Sequence, residues 1–445
     1  MTVGRYDRKY LSIALPAAME GVFMILLANV DIILVGTLGV TAIAAVSIFT
    51  QPRLMILTLA RTLSSVVTLL TAENYGQGQT QIAGKILRAT LLVWGVILTL
   101  LHALFFSYLA DILLWMGAEE NYLPLALRYA DIALVAVWFT SLTAIMQGVM
   151  LGFGDAKAVL QTNLQGNIVN LLLSAALIFG WGIFPAMGVT GAAIGTLVGT
   201  IYTFGGTLLY LRQENLLGGS WLPDKNYWRA LLPVFGGVFG EQGFERLGMV
   251  LYTRLVAGLG AMPYAVHAIC MNFCDFYYSF AGGLGKASMV LTGQARGQKN
   301  TGLLLRYIAV GNKWCFIFSA LACIMILMFR QEILALYAAD SEALALGSVV
   351  MLVVAAVSFP EGKALTSAGA LRGCGKTTAV AIYSFVSIAL LRPLVTWLFV
   401  YTWGWGLMGA WLALALDQSA RAVSAEILLY RVRRCLHEKD IQNRS

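Results

Sequence analysis

Thr71-Ala-Glu-Asn-Tyr-Gly-Gln-Gly-Gln-Thr80 and Thr292-Gly-Gln-Ala-Arg-Gly-Gln-Lys-Asn-Thr301 are the two stretches on which the reading of the fold turns. They lie about 220 residues apart, and three further pairs keep nearly the same spacing. Gly148-Val-Met-Leu-Gly-Phe-Gly154 matches Gly369-Ala-Leu-Arg-Gly-Cys-Gly375. Gly188-Val-Thr-Gly-Ala192 matches Gly406-Leu-Met-Gly-Ala410, and Pro16 matches Pro233. One such match is within reach of chance. Four in the same order describe a duplicated chain.

What is duplicated follows from composition. Of 445 residues, 59% are hydrophobic and only 12% charged. A soluble domain carries about 25% charged residues, so this chain has too little polar surface to cover itself in water. A soluble enzyme, a disordered chain and a fibrous protein are excluded together. Gly is abundant and Pro scarce, 45 against 9, which suits apolar helices that approach closely. The first apolar run is long and lacks a small-residue cleavage site, so it reads as a spanning helix rather than a signal peptide.

About 20 apolar residues cross a bilayer as a helix. About twelve such runs occur, beginning near residues 10, 42, 89, 122, 159, 190, 230, 263, 305, 345, 378 and 406. The expected fold is therefore an all-α integral membrane protein with six spans per half. Its divisions are 1–212 (first lobe), 213–228 (cytoplasmic linker), 229–431 (second lobe) and 432–445 (cytoplasmic tail). An even number of spans gives both halves the same orientation, related by a pseudo-two-fold axis along the membrane normal. Parallel repeats of this kind place a substrate site between the halves and work by rocking.

The net charge of +8 does not form a nucleic-acid patch. The basic residues sit singly in short connectors, as the positive-inside rule requires. With the N-terminus inside, the inner segments hold Arg5, Arg8, Lys9, Lys85, Arg88, Lys157, Arg212, Lys225, Arg229, Arg296, Lys299, Arg306, Arg372, Lys376, Arg431, Arg433, Arg434, Lys439 and Arg444. The outer ones hold Arg128 and Arg330. Both termini are expected in the cytoplasm. The six cysteines (Cys270, Cys274, Cys315, Cys323, Cys374 and Cys435) show no zinc spacing and read as packing residues. Gly373-Cys-Gly-Lys-Thr377 lacks the spacing and the preceding strand of a phosphate loop. No nucleophile elbow, His-Glu-x-x-His or Cys-x-x-Cys is present, so no enzyme and no cofactor are expected.

Ionisable residues at membrane depth cost several kcal/mol and are paired, hydrated or functional. Asp31 stands in the outer part of the first helix with no basic residue within a turn. The second half is richer. Glu241 and Glu245 share one helix face, Asp275 lies on the eighth helix and Glu361 on the tenth. Arg246, Arg254, Lys286, Lys313, Lys363 and Arg392 lie among them. Glu241 and Glu361, converging, would offer sodium hard oxygens or share one proton. Internal ion pairs that merely neutralise the acids are the competing reading; Asp417 and Arg421, four apart on the twelfth helix, read as a structural pair. The partner of Glu20 stays open. Met19, Phe23, Met24, Phe49, Tyr277 and Tyr278 are candidates to line a cleft for flat cations, by stacking and cation–π contacts. Trp181, Trp403 and Trp405 suit interfacial belts.

The pattern Leu15-Pro16-(x14)-Asp31-(x4)-Gly36-Thr-Leu-Gly39-(x4)-Ala44-Ala-Val-Ser47, with Gly-Gln at 76–77 and 297–298 and Leu371-Arg-Gly-Cys-Gly-Lys376, resembles the multidrug and toxic compound extrusion (MATE) family. The resemblance covers nearly the whole chain and recurs in each half. It implies two six-helix lobes around a cleft, and export of amphipathic organic cations in exchange for protons or sodium. It implies ion coupling at Asp31 with Asn170 and Thr196 as polar neighbours, and acids placed like Glu241 and Glu361 in the sodium-coupled branch. Some members carry a second acid where this chain has Ser174, which weakens a sodium site there. Lys286 stands where the family has an uncharged residue. A lysine near Glu245 and Asp275 would suit a dedicated exporter of an anionic or zwitterionic metabolite, or a lipid-linked flippase. A channel or membrane enzyme fits less well. The expected partners are a small molecule and the lipid bilayer of the cell membrane, with no nucleic acid and a monomeric protein.

Overall fold

The computed structural model describes residues 4–335 and 341–442. These form twelve long helices: α1 (Arg5–Gly36), α2 (Val40–Gly76), α3 (Thr80–Ser107), α4 (Leu123–Phe153), α5 (Ala156–Phe179), α6 (Val189–Gln213), α7 (Lys225–Ala257), α8 (Ala261–Gly297), α9 (Thr301–Ala335), α10 (Ser341–Gly373), α11 (Thr377–Thr402) and α12 (Gly406–Gln442). A short helix, Leu109–Trp115, joins α3 to α4. No strand occurs among the described residues.

Eleven helices begin within five residues of the expected run starts. The third does not: it was expected near 89 and begins at Thr80. The apolar run begins late because the first turns of α3 are polar. Their charges are satisfied by residues 214–224, which connect α6 to α7. Lys85 Nζ meets Asp224 Oδ2 at 2.6 Å. Arg88 donates to the carbonyls of Ser220 (3.0 Å) and Leu216 (2.7 Å). Lys85 holds the Asp224 carboxyl below the usual carboxylate range by hydrogen bonding to it. At the other end of the chain, α12 continues through residues 432–442 as helix. The side chain of Lys439, residues 443–445 and hence Arg444 lie outside the described residues.

Nine of the twelve helices are apolar and long enough to cross a membrane by composition alone. The other three, α7, α8 and α12, carry Glu241, Glu245 and Arg246; Asp275 and Lys286; and Asp417, Arg421 and Glu426. Their charges find partners inside the protein, as described below, which is what makes them tolerable at membrane depth. The chain is a multi-pass membrane protein.

Packing divides it into two compact units. One comprises the chain up to Gly21 together with the chain from Pro233; the other runs from Val22 to Leu232. The divisions fall inside α1 and α7, each of which also contains its proline, Pro16 or Pro233.

The repeated glycines explain themselves as helix contacts. A Cβ on Gly148 would lie 2.6 Å from the Ser64 carbonyl oxygen, and one on Gly152 would lie 2.6 Å from Thr71 Cβ. In the second unit's copy, Gly369 abuts the backbone of Gly285, and Gly373 abuts Thr292. The α2–α4 contact of one unit is thus repeated by α8–α10 in the other, through the same small-xxx-small pattern. The turns that follow α2 and α8 are likewise copies. Gly78 takes φ 76°, and Lys299, at the matching place, takes φ 54°.

Each unit has an apolar cluster. One packs Val35, Phe49, Tyr129, Ile178 and Ala192 from α1, α2, α4, α5 and α6. The other packs Tyr252, Cys274, Val357, Trp411 and Leu414 from α7, α8, α10 and α12. In both, polar residues lie one helical turn away from cluster members, and these make the candidate sites. Helix α11 widens to π-helical turns at Phe385–Leu391 and Leu398–Thr402, on either side of Arg392–Trp397, which contains Pro393.

Candidate functional sites

In the unit from Val22 to Leu232, Asp31 precedes Val35 by four residues and Ser174 precedes Ile178 by four. Arg53 follows Phe49 by four and Thr196 follows Ala192 by four. Four residues on a helix return to the same face one turn along, so the polar groups form a layer beneath the apolar cluster. Asn170 Nδ2 donates to Asp31 Oδ2 at 3.2 Å. Ser174 Oγ donates to Asn170 Oδ1 at 2.9 Å, which fixes the amide with its nitrogen towards the carboxylate. Asn170 and Ser174 are both buried. Thr196 bonds its own helix, donating to the Ala192 carbonyl at 2.9 Å. Of the neighbours expected for Asp31, then, Asn170 bonds it directly, Ser174 braces Asn170, and Thr196 turns to backbone. The sequence did not single out Arg53 or Tyr129. The charges of Arg53 and Asp31 both act on Tyr129, and Arg53 acts on Asp31 itself. Arg53 is an arginine at membrane depth, which was the signal available; its partner lies on another helix.

In the other unit, the acids are drawn to different cations. Glu241, 3% exposed, accepts two hydrogen bonds from Arg372, with Nε at 3.0 Å and Nη2 at 2.5 Å. Asp417 accepts from Arg392 Nε at 2.9 Å. The pairing expected between Asp417 and Arg421 is therefore replaced: Asp417 pairs across to α11, and Arg421 Nη1 donates to Gln418 Oε1 at 3.3 Å. Spacing along one helix cannot anticipate a better-placed guanidinium on its neighbour. Glu245 accepts from Tyr278 Oη at 2.6 Å and lies in the field of Arg421. Asp275 lies in the field of Arg246. Lys286 Nζ meets Glu20 Oε2 at 3.1 Å, which supplies the partner left open for Glu20. Lys313 and the Trp314 indole both bond Asp7, at 2.8 and 2.9 Å. Lys363 pairs with Glu426 at 2.8 Å.

Glu361 stands apart. It is buried, and its carboxylate oxygens each lie 3.7 Å from the Cys274 thiol, with Gln418 Nε2 donating at 3.4 Å. Arg421 and Arg392 act on it only at a distance. Glu241 and Glu361, expected as a converging pair for sodium, are thus held by separate partners. Among the described residues no group of three or more His, Cys, Asp or Glu is gathered as metal ligands. Cys274, Gln418 and Arg372 at these acids are not signalled by the sequence, in which Arg372 reads as a connector charge.

Of the residues expected to line a cleft, Met19 and Met24 are exposed, and Phe23 and Tyr278 are partly so. Phe49 is buried in the apolar cluster, edge-on to Tyr129 with ring centroids 6.3 Å apart. Tyr277 is buried too, its hydroxyl 2.6 Å from Ser319 Oγ. Phe49 and Tyr277, expected on a cleft wall, are therefore buried between helices instead. Trp181, Trp403 and Trp405 are exposed, as interfacial residues are.

A duplicated twelve-helix membrane bundle with isolated, partnered charges at membrane depth defines a polytopic transporter. The MatE family model matches residues 16–176 and again 238–398, once in each half of the chain. The chain belongs to the MatE family, the multidrug and toxic compound extrusion transporters. It is 26% identical over 427 residues to a probable multidrug resistance protein NorM of Thermotoga maritima, covering 92% of this chain and 89% of that one. It is 25% identical over 423 residues to a protein of the same description from Rhizobium meliloti, covering 91% and 89%. Among solved structures, a crystal structure of MATE in the bent conformation superposes with TM-score 0.88 at 18% identity, covering 98% of this chain and 97% of that one. An outward-facing multidrug resistance MATE family transporter superposes with TM-score 0.87 at 18% identity, covering 98% of each chain. The two-lobed, twelve-helix architecture of those structures is the fold of this chain.

Proposed function

We propose that the protein is an antiporter that exports amphipathic organic cations in exchange for protons, with Asp31 as the coupling carboxylate. The observation that carries this is the orientation of Asn170. Its amide oxygen is engaged by Ser174 and its nitrogen faces Asp31. Sodium needs converging oxygens, whereas a carboxylate that meets an N–H donor and has no second acid beside it is suited to a proton. Glu361 is the second proton-carrying group, because the other acids near it have basic or phenolic neighbours. Glu241 serves structure, through Arg372. The relatives described as multidrug resistance proteins support the substrate class. The protein works as a monomer in the cytoplasmic membrane, with both termini on the cytoplasmic side.

Antiport requires that proton and substrate oppose each other in biasing one inward–outward equilibrium. The test is transport in sealed liposomes under a proton gradient alone and a sodium gradient alone, with a fluorescent organic cation. Proton-driven efflux in the parent protein and its loss in Asp31→Asn, with unchanged expression, is the expected result. Normal efflux by Asp31→Asn would overturn the assignment.

A further inference from the structure

Among the described residues, Arg53 is the one basic residue that acts on Asp31 in this polar layer, and the family pattern did not supply it. It sits four residues beyond Phe49 on α2, as Asp31 sits four before Val35 on α1, and both apolar residues belong to one packed cluster. The two charges therefore share the layer beneath that cluster. Asn170 on α5 bonds Asp31, and Arg53 on α2 and Tyr129 on α4 lie within range of its charge; the hydroxyl of Thr196 on α6 is spent on backbone. Arg53 Nε is buried and has no hydrogen-bond partner among the described residues. A buried guanidinium N–H without a partner is costly, and an anion within the same layer is what offsets it.

We propose that Arg53 is the resident counter-cation of the Asp31 site and sets its choice of coupling ion, rejecting sodium and admitting the proton. This rests on Asp31 as the coupling carboxylate. With Asp31 ionised, Arg53 already balances its charge. Sodium would bring a second positive charge into a balanced site. A proton instead bonds covalently to one carboxylate oxygen and abolishes the negative charge. The layer then carries the uncompensated charge of Arg53, which raises the cost of holding a cationic substrate in the same lobe. Proton release restores neutrality. The opposition that antiport requires is thereby built from one carboxylate and one arginine.

The test compares Arg53→Gln and Arg53→Lys with the parent protein in liposomes, under sodium against choline and under a proton gradient. Arg53→Gln should acquire sodium-driven transport that the parent lacks, with efflux at least about ten-fold faster under sodium than under choline, the size of effect a neighbouring full charge exerts. Arg53→Lys, which keeps the charge, should stay indifferent to sodium. A folded Arg53→Gln that ignores sodium as the parent does overturns the proposal. If Arg53→Gln is too unstable to purify, the double variant Asp31→Asn/Arg53→Gln should recover folded protein, because it removes both charges. Failure to recover also overturns the proposal. Asp31→Asn alone separates the two readings: normal coupled transport by that variant removes Asp31 from coupling, whereas its loss of transport together with a sodium-indifferent Arg53→Gln sinks only the role of Arg53.

Discussion

Replacing Arg372 by Gln should destabilise the protein far more than replacing its partner Glu241. The arginine holds Glu241 through two hydrogen bonds, and the acid's side chain is 4% exposed against 22% for the arginine. Two unit charges at 4 Å attract by about 4 kcal/mol at an effective dielectric constant of 20. Without Arg372, Glu241 must stay buried and charged, take up a proton, or drag water in. Breaking a buried pair from one side costs about 3–5 kcal/mol. The partial exposure of Arg372 places the expected loss at the low end, about 3 kcal/mol. For a unit of this size that is a fall in melting temperature of roughly 6–12 °C. Glu241→Gln leaves a more exposed arginine that can reach solvent, so its loss should be smaller. The double variant Glu241→Gln/Arg372→Gln should recover much of the stability, because neither charge remains. Melting is followed by size-exclusion chromatography of heated, detergent-purified protein, and each variant is also tested for proton-driven efflux. Glu241→Gln should still transport. If it folds normally and loses all coupled transport, Glu241 belongs to the coupling machinery and the structural assignment is refuted. If Arg372→Gln melts with the parent, the energetic reasoning fails.

Lys299 occupies the left-handed region at φ 54°, where the first half of the chain has Gly78. Lys299→Gly relieves that strain and gives back some unfolded-state entropy, for a net gain of roughly 0.5–1 kcal/mol; a lower melting temperature would contradict this. Cys374, just past the end of α10, has its thiol pushed up to about 11 by burial, an effect only partly offset by Arg296 and Lys376. Thiolate is the reactive form, so labelling at Cys374 should stay slow at pH 8 and quicken towards pH 11. Cys435, exposed, should label first at pH 8, as peptide mapping by mass spectrometry after brief maleimide treatment would read directly.

The number and order of the helices were legible in the sequence because a bilayer imposes a length and a polarity on each crossing. The duplication was legible because a helix contact as close as Gly152 on Thr71 accepts few residues, and the same solution is written twice, at Gly373 on Thr292. The boundary of α3 was not, since its first turns are polar and their partners are carbonyls more than a hundred residues away. Asp31 could be picked out as a lone acid in an apolar helix. What it faces could not. Asn170, Arg53 and Tyr129 arrive from three other helices, and their order along the chain says nothing about which faces meet.

The second unit shows the same division more sharply. Sequence alone places charges of both signs at membrane depth on α7, α8, α10, α11 and α12. Which charge meets which is set by the packing of the helices. Arg372 goes to Glu241 and Arg392 to Asp417, while Glu361 is left with a thiol and an amide. The difference is one of range. Hydrophobicity and helix period act along the chain and can be read from neighbours in sequence. An ion pair is decided within a few ångströms, between side chains that only the packing of separate helices brings together.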